Sequence, residues 1–269
     1  MVYIHGFFMT IGMFSAIPCP YRPWDEKARS LMMVFLPLVG FIIGLIWYLL
    51  YEIFDILGLP LQLQAAALMI YPYVITGFIH LDGYMDTSDA ILSRRPLEEK
   101  LRILKDPHTG AFAVISLAIL FFICYAAISV ALENRYYEIS TGNITGNPML
   151  VLILIPVITR VCSGLAVIKM KSLVHSQYHG EYRKKGANIH AIVISCIGLL
   201  VLIAGSMIGI SAVAYSYSIL MILVITVITY ILVVAYATRQ LGGMSGDLAG
   251  YALTIAEASS LVAMSMLLQ

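Results

Sequence analysis

The sequence predicts an all-α protein of the polytopic membrane class: a helical bundle of about seven transmembrane helices preceded by a shorter N-terminal helix. Of its 269 residues, 61% are hydrophobic and only 12% are charged, and the mean hydropathy is +0.92. Soluble globular domains average about 45–50% apolar and about 25% charged residues. The composition therefore excludes an ordinary soluble domain and indicates an integral membrane protein.

Seven apolar stretches are long enough to cross a bilayer, since a hydrocarbon core of about 30 Å takes roughly 20 residues of helix. They run from Leu31 to Phe54, Leu61 to His80, Ala111 to Leu132, Met149 to Lys169, Ile189 to Ile210, Ala212 to Ala237 and Leu248 to Leu268. The first seventeen residues are apolar but too short, and Pro18 and Pro20 end them, which predicts a half-helix or an interfacial helix. No long linker divides the chain, so residues 1–269 are predicted to form one domain.

The basic residues predict the orientation, because loops rich in Lys and Arg stay in the cytoplasm. They cluster before the first span and after the second, fourth and sixth, whereas the loop Glu133 to Asn147 holds only Arg135. An Asp-rich segment, the basic loop Lys171 to Asn188 and the glycine-rich stretch Gly242 to Asp247 emerge on the same side as these clusters. A positive loop there attracts an anionic substrate. We therefore predict one site that faces the cytoplasm from the cytoplasmic (inner) membrane.

The segment Phe78-Ile-His-Leu-Asp-Gly-Tyr-Met-Asp-Thr-Ser-Asp89 carries the strongest chemical signal. Asp82, Asp86 and Asp89 are spaced i, i+4, i+7, so they share one face if the segment is helical. His80 stands immediately before them at the end of an apolar span, where ionisable residues are costly. A solvated helix end is the alternative, but three neighbouring carboxylates favour a divalent cation site that serves phosphate chemistry.

Two further stretches extend this site. Asp106-Pro-His-Thr-Gly110 turns the chain back into the membrane, and Asp106 is either another metal ligand or the cap of a helix that begins near Thr109. Leu241-Gly-Gly-Met-Ser-Gly-Asp247 is glycine-rich and opens a helix, a combination that suits phosphate binding by backbone N–H groups. Such a string by itself is a weak signal, because membrane helices also use glycine for packing.

An arginine inside the fourth span needs a negative partner. Arg160 would bind a phosphate or form a structural ion pair with Glu257, which lies ten residues after Asp247 on the last span. Both alternatives are open at the level of the sequence.

These motifs closely resemble the cobalamin synthase family (adenosylcobinamide-GDP ribazoletransferase). The resemblance runs in order over nearly the whole chain, and the combination of the strings HLDGxxDTxD and GGxxGD makes it specific. The segments of this chain that match the family pattern are Phe35-Leu-Pro-Leu-Val-Gly40, His80 to Asp89, Leu104-Lys-Asp106 with Gly110, Thr159-Arg160, and Gly242 to Gly250 with Glu257. The chain departs from the family pattern at Ala90, where glycine is common, and in the loop Ser172 to Asn188.

The resemblance implies a Mg²⁺-dependent enzyme that transfers a substituted phosphate group. Adenosylcobinamide-GDP would receive α-ribazole or its 5′-phosphate, and GMP would leave after a ribose hydroxyl attacks the phosphorus nearest the cobinamide. The implied partners are these small-molecule substrates and membrane lipid; a homo-oligomer is left open and nucleic acid is not expected.

The resemblance also implies the roles of individual residues. Catalysis falls to His80, Asp82 and Asp89, with the hydroxyl proton accepted by His80 or Asp89. The implied Mg²⁺ ligands are Asp82, Asp86 and Asp89, joined by Asp106 or Asp247, and the implied phosphate-binding groups are Arg160, Gly242, Gly243 and Gly246.

Two other functions compete with this hypothesis. The CDP-alcohol phosphotransferases share a repeated-Asp motif, DGxxARx8GxxxDxxxD, but Asp86-Thr87 stands where Ala-Arg is expected and the later spacing fails. An ion-coupled transporter would use Arg160, Glu257 and a glycine-broken helix near Gly242. The clustering of acidic residues at one membrane face argues against the transporter.

Overall fold

The computed structural model describes residues 1–21, 23–142, 146–173, 187–208 and 216–268, and within these ranges it consists of ten α-helices with no sheet strand. The helices are α1 (Val2–Phe14), α2 (Met32–Ile56), α3 (Leu61–Ile75), α4 (Ile79–Leu92), α5 (Leu97–Ile103), α6 (Ala111–Thr141), α7 (Val151–Lys169), α8 (Ala187–Ile208), α9 (Ser216–Leu241) and α10 (Gly246–Leu267). The turns Arg29–Leu31 and Pro148–Leu150 are 3-10 helices that lead into α2 and α7.

The predicted multi-pass helical bundle is confirmed. Among the described residues, α2, α6, α7, α8, α9 and α10 are each long and apolar enough to cross a membrane. The predicted N-terminal half-helix is α1, which has 13 residues and ends before Pro18. Most of the predicted basic loop falls on residues 174–186, and the start of the predicted sixth span falls on residues 209–215; both lie outside the described ranges.

The predicted second span is not one straight helix. Instead of running from Leu61 to His80, it breaks into α3 and α4, which meet at an angle of 90°. Gly77 and Phe78 cause the break, because both adopt left-handed backbone angles (φ 61° and 63°) that end a right-handed helix. The backbone N–H of Ala16 donates to the carbonyl of Ile75 at 2.7 Å, so the polypeptide after α1 satisfies a carbonyl that the break leaves free.

Helix α7 is the most enclosed of the six spans, and glycines bring α2 directly against it. A β-carbon at position 44 would lie 2.8 Å from the Cα of Ile153, and one at position 40 would lie 2.8 Å from the Cδ of Arg160. Neither contact is tolerated by a real side chain, so Gly40 and Gly44 allow an approach that no larger residue permits. Close approach through small residues is the usual source of helix association in membranes, where lipid offers no hydrophobic driving force.

Two buried ring groups fasten α3 to α2. The Nε1–H of Trp47 donates to the Leu68 carbonyl at 2.9 Å, and the hydroxyl of Tyr71 donates to the Ile43 carbonyl at 2.8 Å. Each ring buries a large apolar surface while its single polar atom finds a partner. These two hydrogen bonds fix the position of the short helix α3 along the axis of α2.

Polar contacts mark the two ends of the bundle. At the end near α4, Lys100 Nζ donates to Gln240 Oε1 at 2.5 Å, and Lys169 Nζ donates to Asn188 Oδ1 at 2.9 Å. At the opposite end, Asn147 Nδ2 donates to Glu52 Oε1 at 2.7 Å. The basic ends of α7 and α9 therefore lie at the same end of the bundle as the Asp-rich helix.

We expect Gly44→Val to destabilise the bundle by about 1–3 kcal/mol, since its side chain would overlap the Ile153 backbone. Thermal unfolding of the detergent-purified protein, followed by intrinsic fluorescence, measures the change. Gly12→Ala is the matched control, because no atom lies within 4 Å of the new β-carbon and the substitution favours helix by about 0.5–1 kcal/mol. Unfolding of Gly44→Val at the wild-type temperature would show that α2 and α7 do not pack in this way.

Candidate functional site

The site is built where α4 crosses α10. A β-carbon at position 83 would lie 2.7 Å from the Cα of Asp247, and one at position 250 would lie 3.1 Å from the Cα of His80. The hydroxyl of Thr254 also donates to the carbonyl of His80 at 3.3 Å. Gly83 and Gly250 thus bring the two helix backbones together, and with them two motifs that are far apart in the sequence.

The crossing is locally symmetric. Each of Gly83 and Gly250 lies against the residue that is three positions before the other glycine, and the rings of Tyr84 and Tyr251 stack with centroids 5.7 Å apart. The sequences Asp82-Gly-Tyr and Ala249-Gly-Tyr share a Gly-Tyr pair, and the two pairs take equivalent positions in this helix contact.

Four carboxylates lie near this crossing. Asp82, Asp86 and Asp89 all lie within the single helix α4, so the predicted helical arrangement is confirmed. Asp86 is close enough to experience repulsion from Asp82, Asp89 and the Asp247 carboxylate of α10. Asp82 is exposed, whereas the other three are partly buried. Repulsion of this kind favours a bound cation over four bare carboxylates.

The start of α6 closes one side of the cluster. Gly110, the residue before α6, packs against the carboxylate of Asp89 so tightly that a β-carbon there would overlap it. The sequence pointed to Gly110 only through the family pattern. Its physical role is to leave room for Asp89.

The carboxylates suit Mg²⁺ by their chemistry, although among the described residues no three His, Cys, Asp or Glu side chains converge closely enough to enclose an ion by themselves. Mg²⁺ prefers oxygen ligands and commonly takes only one or two carboxylates together with water and substrate phosphates. An open, oxygen-only set such as Asp82, Asp86, Asp89 and Asp247 fits an ion that is shared with a phosphorylated substrate.

Asp106 does not cap helix α6, which was one of its two predicted roles. Helix α6 begins at Ala111 after Gly110, with no side-chain cap. The carboxylate of Asp106 instead accepts a hydrogen bond from the His108 backbone N–H at 3.0 Å and lies 2.7 Å from His108 Nδ1. These hydrogen bonds lower the pKa of Asp106. The side chain is exposed, and its role as a metal ligand stays a prediction.

The glycine-rich stretch after α9 is a tight turn. Gly242 adopts φ 82°, which favours glycine, and its N–H donates to the Thr238 carbonyl at 2.8 Å. That N–H is therefore committed to the end of α9, which argues against the predicted phosphate contact through Gly242. Gly243 allows close approach of the segment after α7, because the Met244 N–H donates to the Lys171 carbonyl at 2.9 Å.

Helix α10 begins at this turn. Ser245 is its N-cap, and its hydroxyl accepts a hydrogen bond from the Leu248 N–H at 3.2 Å. Gly246 and Asp247 form the first turn, where N–H groups have no partner within the helix and the helix dipole favours negative charge. Gly246 is thus the predicted phosphate-binding glycine that this geometry suits best.

A small cavity lies beside the carboxylates and includes His80. The ring of His80 is buried, with 9% of the residue exposed, and its Nδ1 has no hydrogen-bond partner among the described residues. The ring of Phe14, from α1, lies parallel to it at an angle of 6° with centroids 6.5 Å apart. The cavity has a volume of about 80 Å³ and is also lined by Asp82 and Asp247. Sequence reasoning missed Phe14, because an apolar residue in an apolar helix carries no chemical signal.

Arg160 is engaged in the ion pair that the sequence offered as an alternative to phosphate binding. Its NH1 lies 2.9 Å from Oε1 of Glu257, and the hydroxyl of Thr159 donates to the same oxygen at 3.1 Å. Arg160 is 1% exposed and Glu257 is 6% exposed. Charges so deep in a membrane bundle are normally paired, and this pair joins α7 to α10. A phosphate contact by Arg160 would require the pair to open.

Comparison with known proteins gives a consistent result. The family model described as Cobalamin-5-phosphate synthase matches residues 6–265. A protein of Clostridium botulinum (strain Alaska E43 / Type E3), named adenosylcobinamide-GDP ribazoletransferase, is 40% identical over 254 residues, covering 94% of this chain and 93% of its own. A protein with the same name from Clostridium perfringens (strain SM101 / Type A) is 35% identical and covers 96% of each chain. Another, from Pseudomonas fluorescens (strain Pf0-1), is 30% identical and covers 93% of each chain. No solved structure matches the chain.

The ion pair gives a prediction that separates a structural role from phosphate binding. Glu257→Gln leaves the buried guanidinium of Arg160 without its counter-charge, and we expect a loss of about 3–5 kcal/mol in the free energy of unfolding. The double variant Arg160→Met, Glu257→Gln removes both charges and should recover most of that loss. Thermal unfolding in detergent compares the three proteins. A Glu257→Gln variant as stable as the wild type would contradict a structural role for the pair.

Proposed function

The chain belongs to the cobalamin-5-phosphate synthase family, and on this basis we propose that it joins adenosylcobinamide-GDP to α-ribazole or α-ribazole 5′-phosphate and releases GMP. The observation that supports the proposal most directly is the crossing of α4 and α10. It places four carboxylates beside the N-terminus of a helix, a combination suited to transfer of a phosphate group from an anionic donor.

The reaction exchanges one phosphorus–oxygen bond for another. A ribose hydroxyl of the acceptor forms a bond to the phosphorus nearest the cobinamide, and the bond from that phosphorus to the bridging oxygen of the pyrophosphate breaks. The hydroxyl proton passes to a base on the protein, and GMP leaves with the bridging oxygen. The protein must therefore position the two reactants and accommodate the negative charge of the pyrophosphate.

The carboxylates of Asp82, Asp86, Asp89 and Asp247 would hold Mg²⁺ in this proposal. When bound, Mg²⁺ neutralises the pyrophosphate and the charge that develops on the departing oxygen. The carboxylates would supply ligands without enclosing the ion, which would leave room for oxygens of the donor substrate. The N–H groups in the first turn of α10, at Gly246 and Asp247, would receive a phosphate oxygen.

The two candidate proton acceptors lie at different depths. Asp89 is partly exposed among the other carboxylates of α4, whereas His80 is buried at the start of the helix. The proton leaves the attacking ribose hydroxyl. His80 lines the same cavity as Asp82 and Asp247, whereas Asp89 lies farther along α4 against Gly110, and both stay candidate acceptors in this proposal.

The site is proposed to face the cytoplasm from the cytoplasmic membrane. Lys100, Lys169 and Arg239 lie at the same end of the bundle as the carboxylates, and positive charge marks the cytoplasmic side. At the other end, Arg135 is paired with Glu138 at 3.2 Å. Soluble nucleotide substrates would thus reach the site from the cytoplasm.

The direct test is release of GMP by the purified protein in liposomes, supplied with adenosylcobinamide-GDP and α-ribazole 5′-phosphate. We expect GMP and a cobalamin product in Mg²⁺ and neither in EDTA, with activity restored when Mg²⁺ is added back. Folded protein that releases no GMP in Mg²⁺ would overturn the proposed reaction. Release that is unaffected by EDTA would overturn the metal requirement alone.

We expect Asp82→Asn to lower the rate of GMP release by about a hundredfold or more, because it removes one group that acts on charge in the transition state. Membrane insertion and unfolding temperature should not change, since Asp82 is exposed. Asp55→Asn is the matched control. Asp55 lies in the last turn of α2, at the end of the bundle away from the carboxylates, so this variant should keep wild-type activity. An active Asp82→Asn enzyme would remove that carboxylate from the proposed site.

A further inference from the structure

We propose that the cavity between Phe14 and His80 binds the flat aromatic base of the ribazole acceptor. This inference rests on the proposed function and deepens it, because it assigns one of the two substrates to a defined part of the site. It also gives the N-terminal half-helix a function in substrate recognition.

The walls of the cavity suit a flat apolar group. Phe14, Met33, Leu36 and Val167 line it from α1, α2 and α7, and its polar lining is confined to the side of α4 and the start of α10, with Ser163. A volume of about 80 Å³ corresponds to roughly three waters of the bulk liquid. The cavity therefore admits the edge of a planar ring, and a whole bicyclic base would require one wall to move; Met33, a flexible side chain, is the wall that we assign to this movement.

His80 supplies the polar contact that such a base requires. Its Nδ1 is buried in the structure without a partner, and a buried polar atom without a hydrogen bond is unfavourable. The base of a ribazole is a benzimidazole, with one ring nitrogen free to accept a hydrogen bond. One unpartnered histidine nitrogen thus matches one unpartnered base nitrogen, provided that Nδ1 carries the ring proton.

The donor substrate fits the cavity poorly. Guanine needs several hydrogen-bond partners along one edge, and the carboxylates of this cavity that could supply them, Asp82 and Asp247, are the groups proposed to hold the metal ion beside the pyrophosphate. The corrinoid is far larger than the cavity. The pyrophosphate belongs with the carboxylates and the first turn of α10, outside the apolar part. The acceptor base is therefore the substrate group whose chemistry the cavity matches.

Phe14 is held in place before any substrate arrives. The hydroxyl of Thr10 lies within hydrogen-bonding distance of the Met32 carbonyl at 3.3 Å, and Gly6 allows α1 to lie close against Leu31. Beyond α1, the Ala16 N–H is bonded to the Ile75 carbonyl at the break between α3 and α4. These contacts fix α1 at both ends, so that Phe14 forms a rigid wall against which a base stacks.

This assignment gives the base, the ribose and the pyrophosphate successive positions along α4. With the base beside His80, the ribose of the acceptor extends toward Asp82 and the other carboxylates, where the pyrophosphate is proposed to lie. His80 is then a binding residue for the acceptor, and Asp89 is left as the proton acceptor. The depth of the cavity fixes how far the reacting hydroxyl projects toward the phosphorus.

Steady-state kinetics of Phe14→Ala and Phe14→Leu in liposomes test the inference. Stacking of a base on an aromatic side chain typically contributes enough to give a loss of about tenfold or more in affinity on removal. We expect the KM for the ribazole to rise about tenfold and the KM for adenosylcobinamide-GDP to stay within about twofold of the wild type. Phe14→Leu keeps most of the apolar volume, so it protects the fold while it removes the ring.

Phe7→Ala is the matched control, because Phe7 lies on the same helix, packs against Phe8 and Phe35, and does not line the cavity. It should leave both KM values unchanged. An increase in the KM for adenosylcobinamide-GDP with either Phe14 variant, or unchanged KM values with both, would overturn the assignment.

Binding of α-ribazole alone, in EDTA and without donor, separates this inference from the proposed reaction. Calorimetric titration of wild-type protein should show binding that Phe14→Ala weakens about tenfold and Phe7→Ala does not. Binding that depends on Phe14, in a protein that releases no GMP, would support the cavity and overturn only the reaction. Wild-type turnover combined with ribazole binding that is indifferent to Phe14 would overturn only the cavity.

Discussion

The close contact between α4 and α10 is the constraint on which the site depends. Gly83 lies against the backbone of Asp247 with no space for a β-carbon, and Gly250 lies so close to the backbone of His80 that a β-carbon there would be tightly packed. If larger side chains separated the two helices, the carboxylates of α4 would lie farther from Asp247 and from the first turn of α10, and the proposed site could not form around one phosphate group. The glycines that packing requires are therefore also the residues that assemble the chemistry.

The break between α3 and α4 makes this contact geometrically feasible. A straight span would carry the Asp-rich segment up and away from the bundle along the membrane normal. The 90° turn at Gly77 and Phe78 instead directs α4 across the end of the bundle and over α10. The polypeptide after α1 supports the turn through its bond to Ile75, which couples the N-terminal half-helix to the shape of the site.

Charge is distributed by depth in the bundle. Beneath the crossing, Arg160 and Glu257 neutralise each other in the interior, and the carboxylates remain at the end of the bundle where water and cations reach them. An acidic site for an anionic donor appears contradictory only if its carboxylates act alone. With the proposed divalent cation between them, the same repulsion that disfavours bare carboxylates would favour binding of the metal and the pyrophosphate together.

The sequence by itself determined the all-α membrane class, most of the spans and the acidic helix, because apolar length and i, i+4, i+7 spacing are local properties of the chain. Motif resemblance also identified the family. Only the tertiary structure decided that Arg160 pairs with Glu257, that Gly242 commits its N–H to α9, and that Phe14 stands against His80. These contacts join residues from separate helices, and an apolar side chain such as Phe14 looks the same in the sequence whether it faces lipid, another helix or a substrate. The break at Gly77 lay in between, since its glycine is visible in the sequence but only the structure shows its left-handed backbone angle.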